Sequence, residues 1–532
     1  MAASEPEKQN VNAPVDRDED SSEKRAAESE YTTNGDVDRD VEKLSPTEET
    51  QTVEATQPES KAQDVEQVDA DIVDFDGPDD PENPYNWTKK RKWINGGFLS
   101  FLTFITPLGS SMFAPGVPDV LREFHTTNET LGSFVVSIYI LGYAFGPLFI
   151  APLSEMYGRS IVYHVTNALF IACTIGCAAS SSFGMLIGFR FLAGTFGSTP
   201  ITIGSGTISD MFRTEERGAA MSIWSIGPLL GPVVGPIIGS YLSEAKGWRW
   251  DFWFVAIVAA PAALGMVFFL RETYAPVLLE RKAARLRKRT GNMNLRSKMH
   301  HGLTPKEYMA RSLIRPTKML LFSPIVFFLS LYMAVVYGYL YLLFTTITGV
   351  FEGKYHFSPA NVGLAYLGIG IGMFGGLFVT GLLSDSIVKK LSARNNGVLK
   401  PEYRIPPMIP AAFSIPIGLF MYGWTANYGV QYVAPIVGTS FVGLGLITTF
   451  MPIMTYLIDA YTRYAASVTA ANTVLRSMLG ALLPLAGPKM YAALGLGWGN
   501  SLLGFIALAM VPFPFVIWRY GEAIRTRRPL KL

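Results

Sequence analysis

Two short stretches carry the same charge device at corresponding places in the two halves of the chain. APLSEMYGRS at 151–160 and GLLSDSIVKK at 381–390 each set a small residue, Leu, Ser and an acid ahead of a base four residues on. Acid before base at that spacing suits a helical ion pair, so Glu155 is expected to meet Arg159 and Asp385 to meet Lys389. One such pair would be an ordinary helix end; its recurrence is what parallel transporter repeats look like. Two further cations, Arg190 and Arg476, sit inside apolar runs. A cation in hydrocarbon is costly and faces a cavity or a partner. Arg190 bonded to backbone carbonyls is one such arrangement. Asn472 lies one turn before Arg476 on nearly the same face, and both are placed toward a central cavity, with pairing between helices as the alternative.

A third feature is GPLLGPVVGPIIGSYL, where Gly227, Gly231, Gly235 and Gly239 recur every fourth residue with Pro228, Pro232 and Pro236 one step behind. The glycines make a smooth stripe that admits another helix, and the prolines remove hydrogen bonds, so the segment is either a hinge or a tight seam. Tyr139, Tyr143, Trp224, Tyr337, Tyr341 and Tyr366 are candidates to line a cavity for bulky compounds, since their rings offer apolar faces with a polar edge; for each, packing is the alternative. His164 reads as a bonded core residue. Asn128-Glu129-Thr130 is a glycosylation sequon. Cys173 and Cys177 share a helix face and read as small packing residues. No carboxylate lies in mid-span, which leaves Glu155, Asp210, Asp385 and Asp459 as the titrating groups at the membrane boundary.

The elements that position these residues follow from composition. Charged residues are only 17% of the chain, and its net charge of +2 hides an asymmetry: 26 of 43 acids but 7 of 45 bases precede Asn83. Residues 1–80 hold too few large apolar groups to repay ordering and are expected to form a disordered acidic tail. PENPYNWTKKRKW then supplies a basic flank and interfacial rings. A span needs about 20 apolar residues at about 1.5 Å each. That template fits near 94–115, 131–151, 161–180, 184–208, 218–241 and 251–270, then near 321–348, 360–383, 406–424, 430–458, 464–487 and 498–518. The expected architecture is all-α and membrane-embedded, with twelve spans in two six-helix pseudo-repeats. Its parts are a bundle at 81–270, a basic linker at 271–320, a bundle at 321–519 and a basic tail at 520–532. Loops on the side of the amino tail hold 31 Lys and Arg and those on the other side 5, which places both termini in the cytoplasm.

The APLSEMYGRS stretch resembles the loop 2–3 signature of the major facilitator superfamily, G-x-L-a-D-r-x-G-R-r, through Leu153, Gly158 and Arg159. Ala151 stands for its first Gly, Glu155 for its Asp and Met156 for an Arg. LIGFRFLAGTFG at 186–197 is similar to the family's span 4 pattern, and the glycine–proline run to the span 5 signature of its antiporters. YLIDAYTRYAASVTAANTVLRSMLGALLPL, with PENPYNW and GWRWDFWF, resembles the fungal twelve-span drug:proton antiporter group from Pro81 to Tyr520. The resemblance implies that Glu155 and Arg159 lock the halves on the cytoplasmic side, with Arg159 meeting Asp210. It also implies that Arg190 takes part in proton coupling.

An ATP-driven pump is disfavoured because no G-x-x-x-x-G-K-[ST] segment is present, and a membrane enzyme because no catalytic or ligand cluster of His, Asp or Cys appears. The expected function is secondary efflux of amphipathic drugs, toxins or secondary metabolites across the plasma membrane, with the vacuolar membrane as alternative. It needs the proton gradient and no cofactor. The expected partners are the bilayer, a small-molecule substrate and protons; no nucleic acid is expected, and the chain is read as a monomer. Import of polyamines or another nutrient is the alternative function, and a nontransporting sensor a third.

Overall fold

Apolar runs that cannot bond water must satisfy their own amides, and these runs do so as helices. The computed structural model describes residues 71–299, 302 and 304–527. The first half comprises α1 (Lys89–Ser111), the short α2 (Val117–Glu123), α3 (Glu129–Tyr157), α4 (Arg159–Ala178), α5 (Phe183–Gly197) with α6 (Thr199–Met211), α7 (Thr214–Lys246) and α8 (Arg249–Phe269). The linker carries α9 (Ala275–Thr290) and α10 (Pro305–Phe322). The second half comprises α11 (Pro324–Tyr355), α12 (Pro359–Val362) leading into α13 (Leu367–Arg394), α14 (Met408–Ala411) and α15 (Ser414–Asn427), and α16 (Val433–Ala460). It closes with α17 (Ala465–Leu482), α18 (Gly487–Met510) and α19 (Pro512–Arg527).

Among the described residues, ten segments are long and apolar enough to cross a membrane. One of them, Ala465–Thr526, has 62 residues, enough for two passages. It breaks at Gly495 (φ 70°, ψ 173°), a conformation that only glycine adopts freely, and this break parts the eleventh passage from the twelfth. The α5–α6 pair, interrupted at Ser198, makes a further passage, so the whole is consistent with twelve. Ile257, Leu264 and Phe268 stand out along one face of α8, with Phe268 74% exposed. Such a stripe belongs against lipid.

The halves pack along a bundle whose two ends are here called the linker face and the far face. Toward the far face they touch: Ser110 of α1 shares a 3.1 Å hydrogen bond with Tyr341 of α11, and a Cβ at Gly363 would lie 2.7 Å from the Pro236 carbonyl of α7. At the linker face, Gly218 of α7 and Gly381 of α13 meet nothing within 4 Å.

Two expected boundaries are corrected. Residues 71–80, assigned to the tail, are ordered: β1 (Ile72–Val73) pairs in parallel with β2 (Arg296–Ser297) of the linker. Lys298 meets Asp74 at 2.7 Å, Lys282 meets Asp76 at 2.7 Å, and Arg285 meets Glu82 at 2.8 Å. The hydrogen bond from Lys298 holds the Asp74 carboxyl below its ordinary range. Within the basic linker, α9 buries Leu279 and Ala283 completely. The segment 520–527, read as tail, continues α19, and Lys400 meets its Glu522 at 2.7 Å. The rest of the expected amino tail, 1–70, lies outside the described residues.

Candidate functional site

The linker-face device is built differently from its sequence pattern. Glu155 and Arg159 are four residues apart but not on one helix: α3 ends at Tyr157 and Gly158 turns the chain with φ 103° and ψ 159°. The i,i+4 pairing therefore has no helix to run on, and among the described residues no ion pair within 4 Å joins them. Arg159 instead reaches Asp210 at the end of α6 at 3.2 Å and Ser154 at 2.7 Å. Glu155 accepts a short hydrogen bond from the Tyr308 hydroxyl of α10. A buried carboxylate that sequence reading passed over, Glu272, accepts the Arg159 amide at 2.8 Å and the Ser160 amide at 3.4 Å. An acid at this helix start satisfies amides that have no partner of their own. Its oxygens occupy the space a Cβ at 158 would need, so that position is glycine for room as well as for φ.

In the second half Asp385 and Lys389 do share a helix, α13, yet they do not pair. Arg404, just before α14, takes Asp385 at 3.2 Å and Asp459 of α16 at 3.2 Å. Lys389 is left exposed. Arg404 thus stands to Asp459 as Arg159 stands to Asp210: a base ahead of the third span of its half bonded to an acid ending the fourth. Replacing Arg404 by Ala is expected to lower transport several-fold, whereas Lys389→Ala leaves it unchanged. The stability cost of the former should not exceed about 1 kcal/mol, because the paired acids are exposed; flux and thermal unfolding of both variants check this.

Arg190 is 1% exposed. Its nitrogens donate to the carbonyls of Gly109 at 2.8 Å, Ser110 at 3.0 Å, Val135 at 3.1 Å and Val136 at 3.3 Å. The rings of Tyr139, Phe113 and Phe252 surround the guanidinium. Gly109 and Ser110 belong to the last turn of α1, whose carbonyls lack helical donors, so Arg190 caps the negative end of that helix. No carboxylate bonds it among the described residues. Nearby lies the embedded acid that sequence position disguised as a span end. Asp251, in the first turn of α8, is 1% exposed; Ser243 donates to its Oδ2 at 2.7 Å, and its Oδ1 has no partner.

The glycine–proline run resolves into a seam. Helix α7 runs unbroken through Pro228, Pro232 and Pro236. A Cβ at Gly227 would lie 2.8 Å from the Phe104 amide nitrogen, one at Gly231 2.7 Å from the Phe104 carbonyl and one at Gly235 2.6 Å from Ser111 Oγ, while at Gly239 it would overlap the Met112 carbonyl. Helix α1 thus lies directly on this stripe. Pro236 offers no amide to the Pro232 carbonyl, and Ser111 supplies the missing donor at 3.1 Å.

The aromatic candidates separate. Tyr366 is wholly buried and donates to the Phe344 carbonyl at 3.0 Å, and Tyr139 donates to the Thr106 carbonyl at 2.8 Å, so both pack within their own halves. Tyr143 is likewise buried and donates to the Gly197 carbonyl at 3.3 Å. Trp224 packs over Gly204 with its indole nitrogen unpartnered. Tyr341 joins the halves through Ser110, and Tyr337 lies 5.2 Å from Tyr341 and 4.6 Å from Arg476. Asn472 is buried, with its nitrogen on the Met454 sulfur at 3.1 Å. Asn128 is exposed, and its side-chain oxygen caps α3 through the Thr130 and Leu131 amides. His164 shares a 3.0 Å hydrogen bond with Ser160.

Residues 99–484 match the family model described as Major Facilitator Superfamily. The chain belongs to the major facilitator superfamily. Among superfamily members it is similar to the MFS-type transporter penM of Penicillium rubens, with 60% identity over 458 residues covering 86% of this chain and 90% of that one. It is also similar to the efflux pump radE of Floropilus chiversii, with 51% identity over 462 residues covering 87% of this chain and 86% of that one. The inward-open xylose transporter XylE from E. coli matches with a TM-score of 0.60 at 13% identity, over 80% of this chain and 96% of that one. That likeness shows the superfamily fold alone. The chain is therefore a multi-pass membrane protein of a transporter family.

Proposed function

We propose that the chain is a secondary active exporter of small amphipathic organic compounds, working by alternating access in exchange for protons. The observation that carries this reading is the contact of the halves at the far face, where Ser110 meets Tyr341 and Gly363 lies against the Pro236 carbonyl. A bundle joined at one face is one of the two states that rocking halves require. The excess of bases supports the linker face as cytoplasmic, so this state would load from inside. The relative named as an efflux pump favours the same direction. Plasma membrane is the proposed location, with both termini cytoplasmic.

In this reading the Arg159–Asp210 and Arg404–Asp385–Asp459 clusters re-form partners as the linker face closes. Proton exchange needs an embedded titrating group, and Asp251 supplies one, with Arg190 and Asp119 the charged groups acting on it. In this reading the part of Arg190 in proton coupling is to hold the end of α1 through the Gly109 and Ser110 carbonyls. Import of polyamines is the weaker alternative, because it would bring a polycation to Arg476.

The test is flux into inside-out vesicles under an imposed pH difference, with one cationic, one neutral and one anionic fluorescent amphiphile. Wild type is expected to accumulate at least one of them only while the gradient lasts. Asp251→Asn, which keeps the shape, should lose gradient-driven accumulation and keep exchange of labelled for unlabelled probe. Accumulation by that variant equal to wild type would remove Asp251 from coupling, and equilibration indifferent to pH would sink antiport.

A further inference from the structure

Two arginines are embedded in the bundle, and only one is spoken for. Arg190 spends its donors on four carbonyls. Arg476, near the middle of α17, meets no hydrogen-bond acceptor and no carboxylate among the described residues. Its Nε is buried and unpartnered while the residue as a whole stays half-exposed. Tyr337 lies 4.6 Å and Phe450 5.3 Å from the guanidinium carbon, so rings of α11 and α16 hold the group from two sides. One turn earlier, Asn472 Oδ1 is a second buried polar atom without a partner.

An uncompensated cation between helices is costly, and proteins retain one where something pairs with it during function. Rings fix the planar guanidinium but give it no hydrogen-bond acceptor. A forked set of donors held flat matches a carboxylate or another planar oxyanion, which accepts two parallel hydrogen bonds. Oδ1 of Asn472 would accept from a hydroxyl or N–H next to that group.

We propose that Arg476 is the anion-recognising residue of the central site, and that the exported compounds are amphipathic organic acids carrying a carboxylate or a comparable planar oxyanion on an apolar, ring-bearing body. This deepens the transport reading and rests on it. Tyr337 and Phe450 would stack on the body beside the acid, and the acid would neutralise an embedded cation that has no acceptor among the described residues.

The test is binding of dansylglycine and its uncharged amide to the full chain in lipid nanodiscs, read by dansyl fluorescence. Wild type is expected to bind the acid at least about tenfold more tightly than the amide, roughly what a charge-assisted pair contributes. Arg476→Gln should bring the two to equal affinity, and Arg476→Lys, a point charge without the fork, should keep part of the preference. Arg476→Met, of similar length and apolar, serves if the Gln variant fails to fold. Equal affinities in wild type, a preference that survives in Arg476→Gln, or no binding of either probe overturns the proposal. Because flux of the cationic and neutral amphiphiles is measured separately, a transporter indifferent to acids would sink this inference and leave export standing. A chain that moves none of the three would sink the export reading itself.

Discussion

Arg190→Ala is expected to yield a protein that barely folds, whereas Arg476→Met yields one at least as stable as wild type. The residues are the same type in the same kind of apolar run, so the contrast isolates what surrounds them. Deleting Arg190 removes the donors on the Gly109, Ser110, Val135 and Val136 carbonyls and leaves a gap between three rings. Loss of a buried charged partner costs about 3–5 kcal/mol, a large share of the roughly 5–15 kcal/mol that holds a domain folded. Lys in its place could not cover carbonyls of two helices at once, so Arg190→Lys should fall between. Arg476 has no such bonds to lose, and its removal relieves an unpaired cation. Thermal unfolding of the three variants in detergent, followed by the elution profile of the folded protein, checks the ranking; a folded and stable Arg190→Ala would refute the capping role.

The second large effect is expected at Gly239. A methyl group there would overlap the Met112 carbonyl, which is backbone and cannot swing aside. Helix α1 would have to lift from α7, and overpacking of this kind costs about 1–3 kcal/mol or more. Alanine ordinarily gains about 1 kcal/mol over glycine inside a helix. Gly218→Ala, in the same helix but with nothing within 4 Å, should therefore be neutral or slightly stabilising. Opposite signs from one substitution in one helix would establish the stripe as a seam. If Gly239→Ala kept wild-type stability but lost transport, the stripe would instead be a hinge.

The sequence by itself determined the spans, their division into halves and the asymmetry of charge, because these depend on what each segment can satisfy alone in lipid or water. The contact of Arg159 with Asp210 was implied by the family resemblance of the 151–160 stretch, not by spacing along the chain. The partners that only tertiary structure decided are of another kind. The acceptors of Arg190 are main-chain carbonyls, which every residue has and none advertises. Arg404 displaces Lys389 as the base for Asp385 because distance between helices, not spacing along one, selects a partner. Glu155 and Arg159 look like a helical pair until Gly158 is seen to end the helix between them. Asp251 sits first in its span, where an acid would normally reach water, and only the packing of α1, α7 and α8 takes it out of solvent. Patterning within a segment decides which segments cross the membrane; which buried groups are left unsatisfied is a property of several segments at once, and that is where Arg476 and Asp251 became visible.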